Sequence, residues 1–278
     1  MFLVRALTGT LLVVAASGCG SGTAGSSSDG ATTRKPDRDV ARESLVQAIE
    51  ALQVADTGHY EHNIDLDEQR SIFAISGDYA FSRSAAEAVI TARVPEGQPI
   101  TLENRIVGNS IYLNVPGWPA ATRDCWVIFD PDDLAQARGT PPVDGAQGYP
   151  AALSVLDGAR GRKFVGAGEA KVNGTIDLAV ALSLVAPKAS VQHVDTLTGK
   201  RAAVTFSLSD GTLTGLTIAG ADVVTAIQAT EVDLPEGFER VNARVEYSRA
   251  GDVEPVTAPP SRLQRTTEQF DAGEGCER

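Results

Sequence analysis

The chain predicts an α+β fold built on one long antiparallel sheet with a few helices, and three observations carry that expectation. Apolar and polar residues alternate over most of the body, the period of half-buried strands. Short clusters of turn-forming residues separate these runs, so successive strands join as a meander. One stretch near residue 37 has helical spacing instead. With 278 residues, 42% hydrophobic and 22% charged, the chain can bury a core of its own, and a sheet-rich chain of this length favours a single domain.

The first segment is an address. Arg5 gives a positive n-region, Ala6 to Val14 a short apolar run, and Ala15-Ala16-Ser17-Gly18-Cys19 a small-residue cleavage region ending in cysteine. A membrane span needs about 20 apolar residues, and this run stops short of that. Ala16-Ser17-Gly18-Cys19 resembles the bacterial lipobox, with Ala16 in place of the commoner Leu. The resemblance implies cleavage after residue 18, a diacylated Cys19 carrying palmitate-type chains, and a stable anchor, since each buried CH₂ contributes ~0.8 kcal/mol. Residues 19–35 are rich in Gly, Ser and Thr without apolar period and read as a flexible tether of about 20 Å.

The body follows, at 36–260. Ala41, Leu45, Ala48, Ile49 and Leu52 recur at helical spacing and predict an amphipathic helix at about 37–56, ended by Gly58. Strand alternation then runs through Tyr60 to Leu66, Phe73 to Phe81, Ala88 to Val94 and Ile100 to Ile106. Ile111 to Val115 and Trp126 to Phe129 add two strands, and Asp130-Pro131-Asp132-Asp133 opens a short helix. Tyr149 to Leu156 reads as helix, Lys163 to Val172 as one strand, and Ile176 to Val185 as helix. Asp210-Gly211 is a strong hairpin signal between Ala202 to Ser209 and Thr212 to Ala219. Val241 to Tyr247 is expected to close the sheet, and 261–278 forms a polar C-terminal tail.

Charge narrows the partners. There are 36 acidic and 24 basic residues, a net charge of −12, which excludes a nucleic-acid backbone as the default partner. Losing residues 1–18 removes Arg5, leaving 23 basic residues and a charge of −13. Catalytic and metal motifs are sparse. His59 and His62 are three apart on a strand and face opposite ways, and His193 stands alone. Asp65, Asp67 and Glu68, like Asp130, Asp132 and Asp133, lack calcium-loop spacing. Thr196-Leu197-Thr198-Gly199-Lys200 lacks the leading glycine of a phosphate loop, and no nucleophile elbow appears. No enzyme activity, metal or cofactor is expected.

A lipobox, one leading helix, a long meander, Ile111-Tyr112-Leu113, Trp126-Val127-Ile128-Phe129-Asp130, the hairpin at Ser209-Asp210-Gly211, and Val245-Glu246-Tyr247 before Glu254-Pro255-Val256 and Ala258-Pro259 occur in that order. Together they resemble the LppX/LprG lipoproteins of actinobacteria, related in fold to the LolA/LolB carriers. The resemblance covers 37–260 and implies a single-domain antiparallel half-barrel with helices on its concave face and an apolar cavity for acyl chains. The implied function is a membrane-anchored, extracytoplasmic carrier of a lipid, glycolipid or lipoprotein, monomeric, with a membrane transporter as a candidate partner.

Phe73, Ile75, Tyr79, Ile90, Ala92 and Leu102 are the expected cavity lining, with Gly77, Ala88 and Ala92 leaving volume unfilled. The competing reading is a filled core in a sensor or interaction lipoprotein that uses Val115-Pro116-Gly117-Trp118-Pro119 against a partner protein. With Cys19 acylated, export leaves one pairing in an oxidising compartment, Cys125 with Cys276. The alternative is a buried Cys125 and a free Cys276.

Overall fold

A helix does begin at residue 37. It is α1, Asp37–Val54, in a computed structural model that describes residues 37–67, 70–93, 98–118, 122–129, 150–165, 170–186, 197, 199–228, 230, 232, 234 and 236–276. The leader, the tether with Cys19, the helix expected at Asp130, Asp132 and Asp133, His193 and Glu68 lie outside the described residues. Ala41, Leu45, Ala48, Ile49 and Leu52, the five residues of its apolar stripe, are all buried. The helix stops as the chain enters a left-handed turn at Asp56 (φ 65°), whose carboxylate accepts hydrogen bonds from the Ser82 amide (2.6 Å) and hydroxyl (2.8 Å).

Six strands follow: β1 (Thr57–Leu66), β2 (Arg70–Ala80), β3 (Ala85–Ala92), β4 (Ile100–Val107), β5 (Ser110–Asn114) and β6 (Trp126–Phe129). They pair in sequence order as an antiparallel meander. A short helix α2 (Ala151–Ser154) leads into a second meander, β7 (Arg160–Val165), β8 (Ala170–Asp177), β9 (Arg201–Ser209) and β10 (Thr212–Ala219). Between β8 and β9 lies α3 (Leu178–Val185), and after β10 come α4 (Gly220–Ile227) and β11 (Val241–Ser248).

Three expectations change. The run expected as one strand at Lys163 to Val172 turns back on itself, Lys163 pairing with Asn173 and Val165 with Lys171. Ile176 belongs to β8, not to a helix. The next helix starts only at Leu178, where the Asp177 carboxylate accepts the Ala179 amide hydrogen at 2.9 Å. Finally, β11 does not close the sheet; it sits in the middle, between β1 and β10, and joins the two meanders. With β12 at Gln264–Arg265, the strand order is β12-β6-β5-β4-β3-β2-β1-β11-β10-β9-β8-β7, an open sheet with β7 at one edge. The hairpin at Asp210-Gly211 forms as expected, both residues left-handed (φ 50° and 77°) as a two-residue I′ turn requires.

The helices share one face of the sheet. α1 packs on β7, β9 and β10, α3 on β8, β9 and β11, and α4 on β9, β10 and β11. α3 is buried almost all round, with Leu178, Ala181, Leu182, Leu184 and Val185 in the core. The core is therefore thickest over the β7 to β11 half.

The chain after β11 crosses to the opposite face, where Val256 packs on Ala80 and Ala85. Residues 261–276, expected as a polar tail, dock on the β6 edge of the sheet. β12 (Gln264–Arg265) pairs parallel with β6, and α5 (Thr267–Asp271) opens with a capping box at Thr266 and Gln269. Cys125 is bonded to Cys276, with Cα atoms 5.4 Å apart, and locks this segment to the residue preceding β6.

Candidate functional site

All six expected lining residues stand on β2, β3 and β4, and the register places them on the face that carries the helices. Phe73 lies opposite Ala92, Ile75 opposite Ile90, Ile90 opposite Leu102 and Tyr79 opposite Ala86, and cross-strand partners share a face. Their surroundings differ. Tyr79 is fully buried, its ring over Gly58 and 4.8 Å from that of Phe81, and its hydroxyl has no hydrogen-bond partner among the described residues. Burial accordingly pushes its ionisation upward. Phe73, Ile75, Ile90, Ala92 and Leu102 are half-buried, Ile75 and Ile90 touching the core, and Ile100, opposite Ala92, is 52% exposed. An apolar surface thus runs from packed core at Tyr79 to open surface at Ile100, beside the half of the sheet that α1, α3 and α4 cover.

The small residues on this face do not all leave space. A Cβ at Gly77 would lie 1.8 Å from the Glu87 carbonyl oxygen and 2.7 Å from the Ala88 Cα. Glycine there lets β3 come close, and Ala88 is itself buried. Of the three residues expected to open volume, only Ala92 stands in the half-buried region.

The interior carries a few polar groups with assigned partners. His62, 2% exposed, donates from Nε2 to the Leu184 carbonyl at 2.8 Å near the end of α3. Burial pulls its pKa down to about 4, and the carbonyl bond offsets part of that shift. Tyr247 donates to the Ala152 carbonyl, and Asn114 donates to the carbonyls of Arg123 (2.8 Å) and Cys125 (2.7 Å).

One arrangement on the opposite face escaped the sequence reading. His59 Nδ1 is 2.6 Å from Asp78 Oδ1, and its Nε2 is 3.1 Å from Ser76 Oγ, the relay order of a hydrolytic triad. Its signal was His59 facing an i, i+2 Ser/Asp pair on the next strand. Ser76 sits in mid-sheet, opposite Glu61 on one side and Val89 on the other. Backbone amides at such positions are spent on the ladder, and no preorganised donors remain to hold an oxyanion. Glu61, 3.9 Å from His59 Nε2, adds negative charge where an oxyanion would form. The cluster is a polar surface network.

A groove of about 420 Å³ on the same face is lined by Glu61, Thr214, Arg244, Glu246 and Ser248 and crossed by the Arg244–Glu246 ion pair at 3.4 Å. Asp67 forms a two-point ion pair with Arg240, which occupies the acidic turn after β1. Among the described residues no three metal-ligating side chains converge. Trp118, offered to a partner by the competing reading, makes a tilted ring contact with Phe270 of α5, centroids 4.3 Å apart. No described helix is long and apolar enough to cross a membrane.

No protein-family model matches the chain, and no curated protein matches it. Among solved structures it is similar to the lipoprotein LppX of Mycobacterium tuberculosis, at 15% identity over 80% of this chain and 99% of that one, with a TM-score of 0.42. It is also similar to LprF of Mycobacterium bovis, at 16% identity over 80% of this chain and 97% of that one, again with a TM-score of 0.42.

Proposed function

We propose that the chain is a lipoprotein anchored through Cys19 at the extracytoplasmic face of the cell membrane, and that it carries lipid acyl chains rather than catalysing a reaction. The observation that supports this reading is the apolar face of Phe73, Ile75, Ile90, Ala92, Ile100 and Leu102, continuous with the core yet half open. An acyl chain laid there gains ~0.8 kcal/mol for each CH₂ removed from water and finishes the burial of side chains that the helices leave partly wet. The cargo class is a lipid, glycolipid or lipoprotein, moved across the envelope.

The test is uptake of a fluorescent fatty-acyl probe by the native protein and by Leu102→Glu, which places a charge on the proposed chain path. Saturable uptake by the native protein, lost in the variant with its thermal midpoint kept, supports the carrier. Uptake that is absent, or equal in both, rejects this face as the site.

A further inference from the structure

We propose that the face of β7, β8 and β9 opposite the helices docks on an anionic phospholipid bilayer. The proposal rests on the reading that the chain is membrane-anchored, and it adds which side of the domain meets the lipid.

The charge distribution carries it. The three strands bear Arg160, Arg162, Lys163, Lys171 and Arg201, against Asp177 as the one acidic side chain described on them, in a protein whose net charge is −12. Arg160 pairs with Thr175, Lys163 with Asn173, Val165 with Lys171, and Asp177 with Arg201, so these positions alternate on one side of the sheet. It is the side away from α1, because Gly161 lies against the Ala41 and Arg42 backbone of that helix. Arg160, Arg162, Lys163 and Lys171 are exposed.

Arg201 is held in place by its bonds to the Thr175 hydroxyl (2.9 Å) and carbonyl (2.6 Å) and to the Gly158 carbonyl. Burial lowers its pKa most, and the nearby charges of Arg160 and Arg162 lower it further against the opposing pull of Asp177, so these cations lie close enough to share one field. Val165, 39% exposed, gives the patch an apolar contact. β1, β2 and β3 carry Glu61, Asp65, Asp78 and Glu87, so charge is segregated along the sheet.

Edge strands are often guarded with cations, and the three on β7 serve that purpose. The patch reaches past that edge, because Lys171 and Arg201 stand on the interior strands β8 and β9. The overall negative charge does not forbid docking: at physiological ionic strength the screening length is about 8 Å, so the headgroups feel the patch and not the distant acidic strands.

The experiment uses the full chain, purified from a host that acylates exported lipoproteins and reconstituted on two kinds of vesicle: phosphatidylcholine alone, and phosphatidylcholine with phosphatidylglycerol. Hydrogen exchange of peptides covering 160–165 and 170–177 is the readout. Exchange slowed several-fold on phosphatidylglycerol vesicles, restored in 1 M salt and in the triple variant Arg160→Glu, Lys163→Glu, Lys171→Glu, supports the proposal. Unchanged exchange in β1 and β11 of the variant certifies its fold. Equal exchange on the two vesicles with the chain bound to both overturns it, as does protection that requires an added acidic protein. Flotation of unacylated chain separates this failure from that of the anchor: binding to phosphatidylglycerol vesicles alone keeps the docking face, and binding to neither rejects it.

Discussion

His62 is a basic side chain placed where its charged form is most costly. It is 2% exposed, its partner is a carbonyl, and its pKa falls to about 4. The unfolded chain binds the proton more readily, with an ordinary histidine value near 6.5. This group's contribution is therefore complete above about pH 6.5 and is lost as pH falls toward 4, by about 3 kcal/mol over that window. Urea unfolding at pH 7.5 and 4.5 checks it: His62→Asn, less stable at neutral pH, flattens the difference between the two values. A second residue-scale prediction concerns Gly77. Gly77→Ala forces β2 and β3 apart and costs roughly 2–3 kcal/mol or more, whereas Gly117→Ala, with open space around it, changes the chemical-denaturation midpoint little. That His59 and His62 face opposite ways follows from strand period alone. Their partners are not legible in that way: Leu184 is 122 positions from His62, and Ser76 reaches His59 only through the β1–β2 register.

At the scale of elements, local signals transferred well. α1 has its stripe, though it stops at Val54 before the left-handed Asp56 while the expected stop Gly58 lies in β1, and the Asp210-Gly211 hairpin has turn residues that few other conformations accept. β7 and β8 were harder, because a register shift between Gly161 and Lys163 breaks the alternation of β7, so the two strands of the hairpin do not read as separate runs. The C-terminal segment read as a tail because its own apolar content is low; what holds it is the parallel pairing with β6, the Trp118–Phe270 contact and the disulfide. The bridge spans 151 positions, and a loop of that length gives up to about 5 kcal/mol on the chain-entropy account. Cys276→Ser should lower stability by several kcal/mol and raise exchange in 264–276, with β1 and β11 protected until global unfolding. Ala92→Trp tests the open face. Because Ala92 is half-buried, a large ring there blocks an acyl probe while the thermal midpoint moves little. In a filled core the same change overpacks and costs ~1–3 kcal/mol.

For the whole molecule, the fold class was legible because alternation repeated over many short runs admits little besides an antiparallel sheet. The strand order was not. Nothing local says that β11 enters between β1 and β10, since that choice is settled by burying Ala243, Val245 and Tyr247 between two meanders. The division of labour along the sheet follows from that order: helices thicken one half, the C-terminal segment straps the other half from behind, and the apolar face of β2 to β4 stays half open. The proposed carrier role predicts bound lipid at that opening. Native mass spectrometry of the protein purified from its own host measures it. The account predicts a protein mass accompanied by co-purifying lipid, exchangeable for an added fatty-acyl probe and reduced in Leu102→Glu. A clean mass without adduct, together with no uptake of the probe, contradicts it.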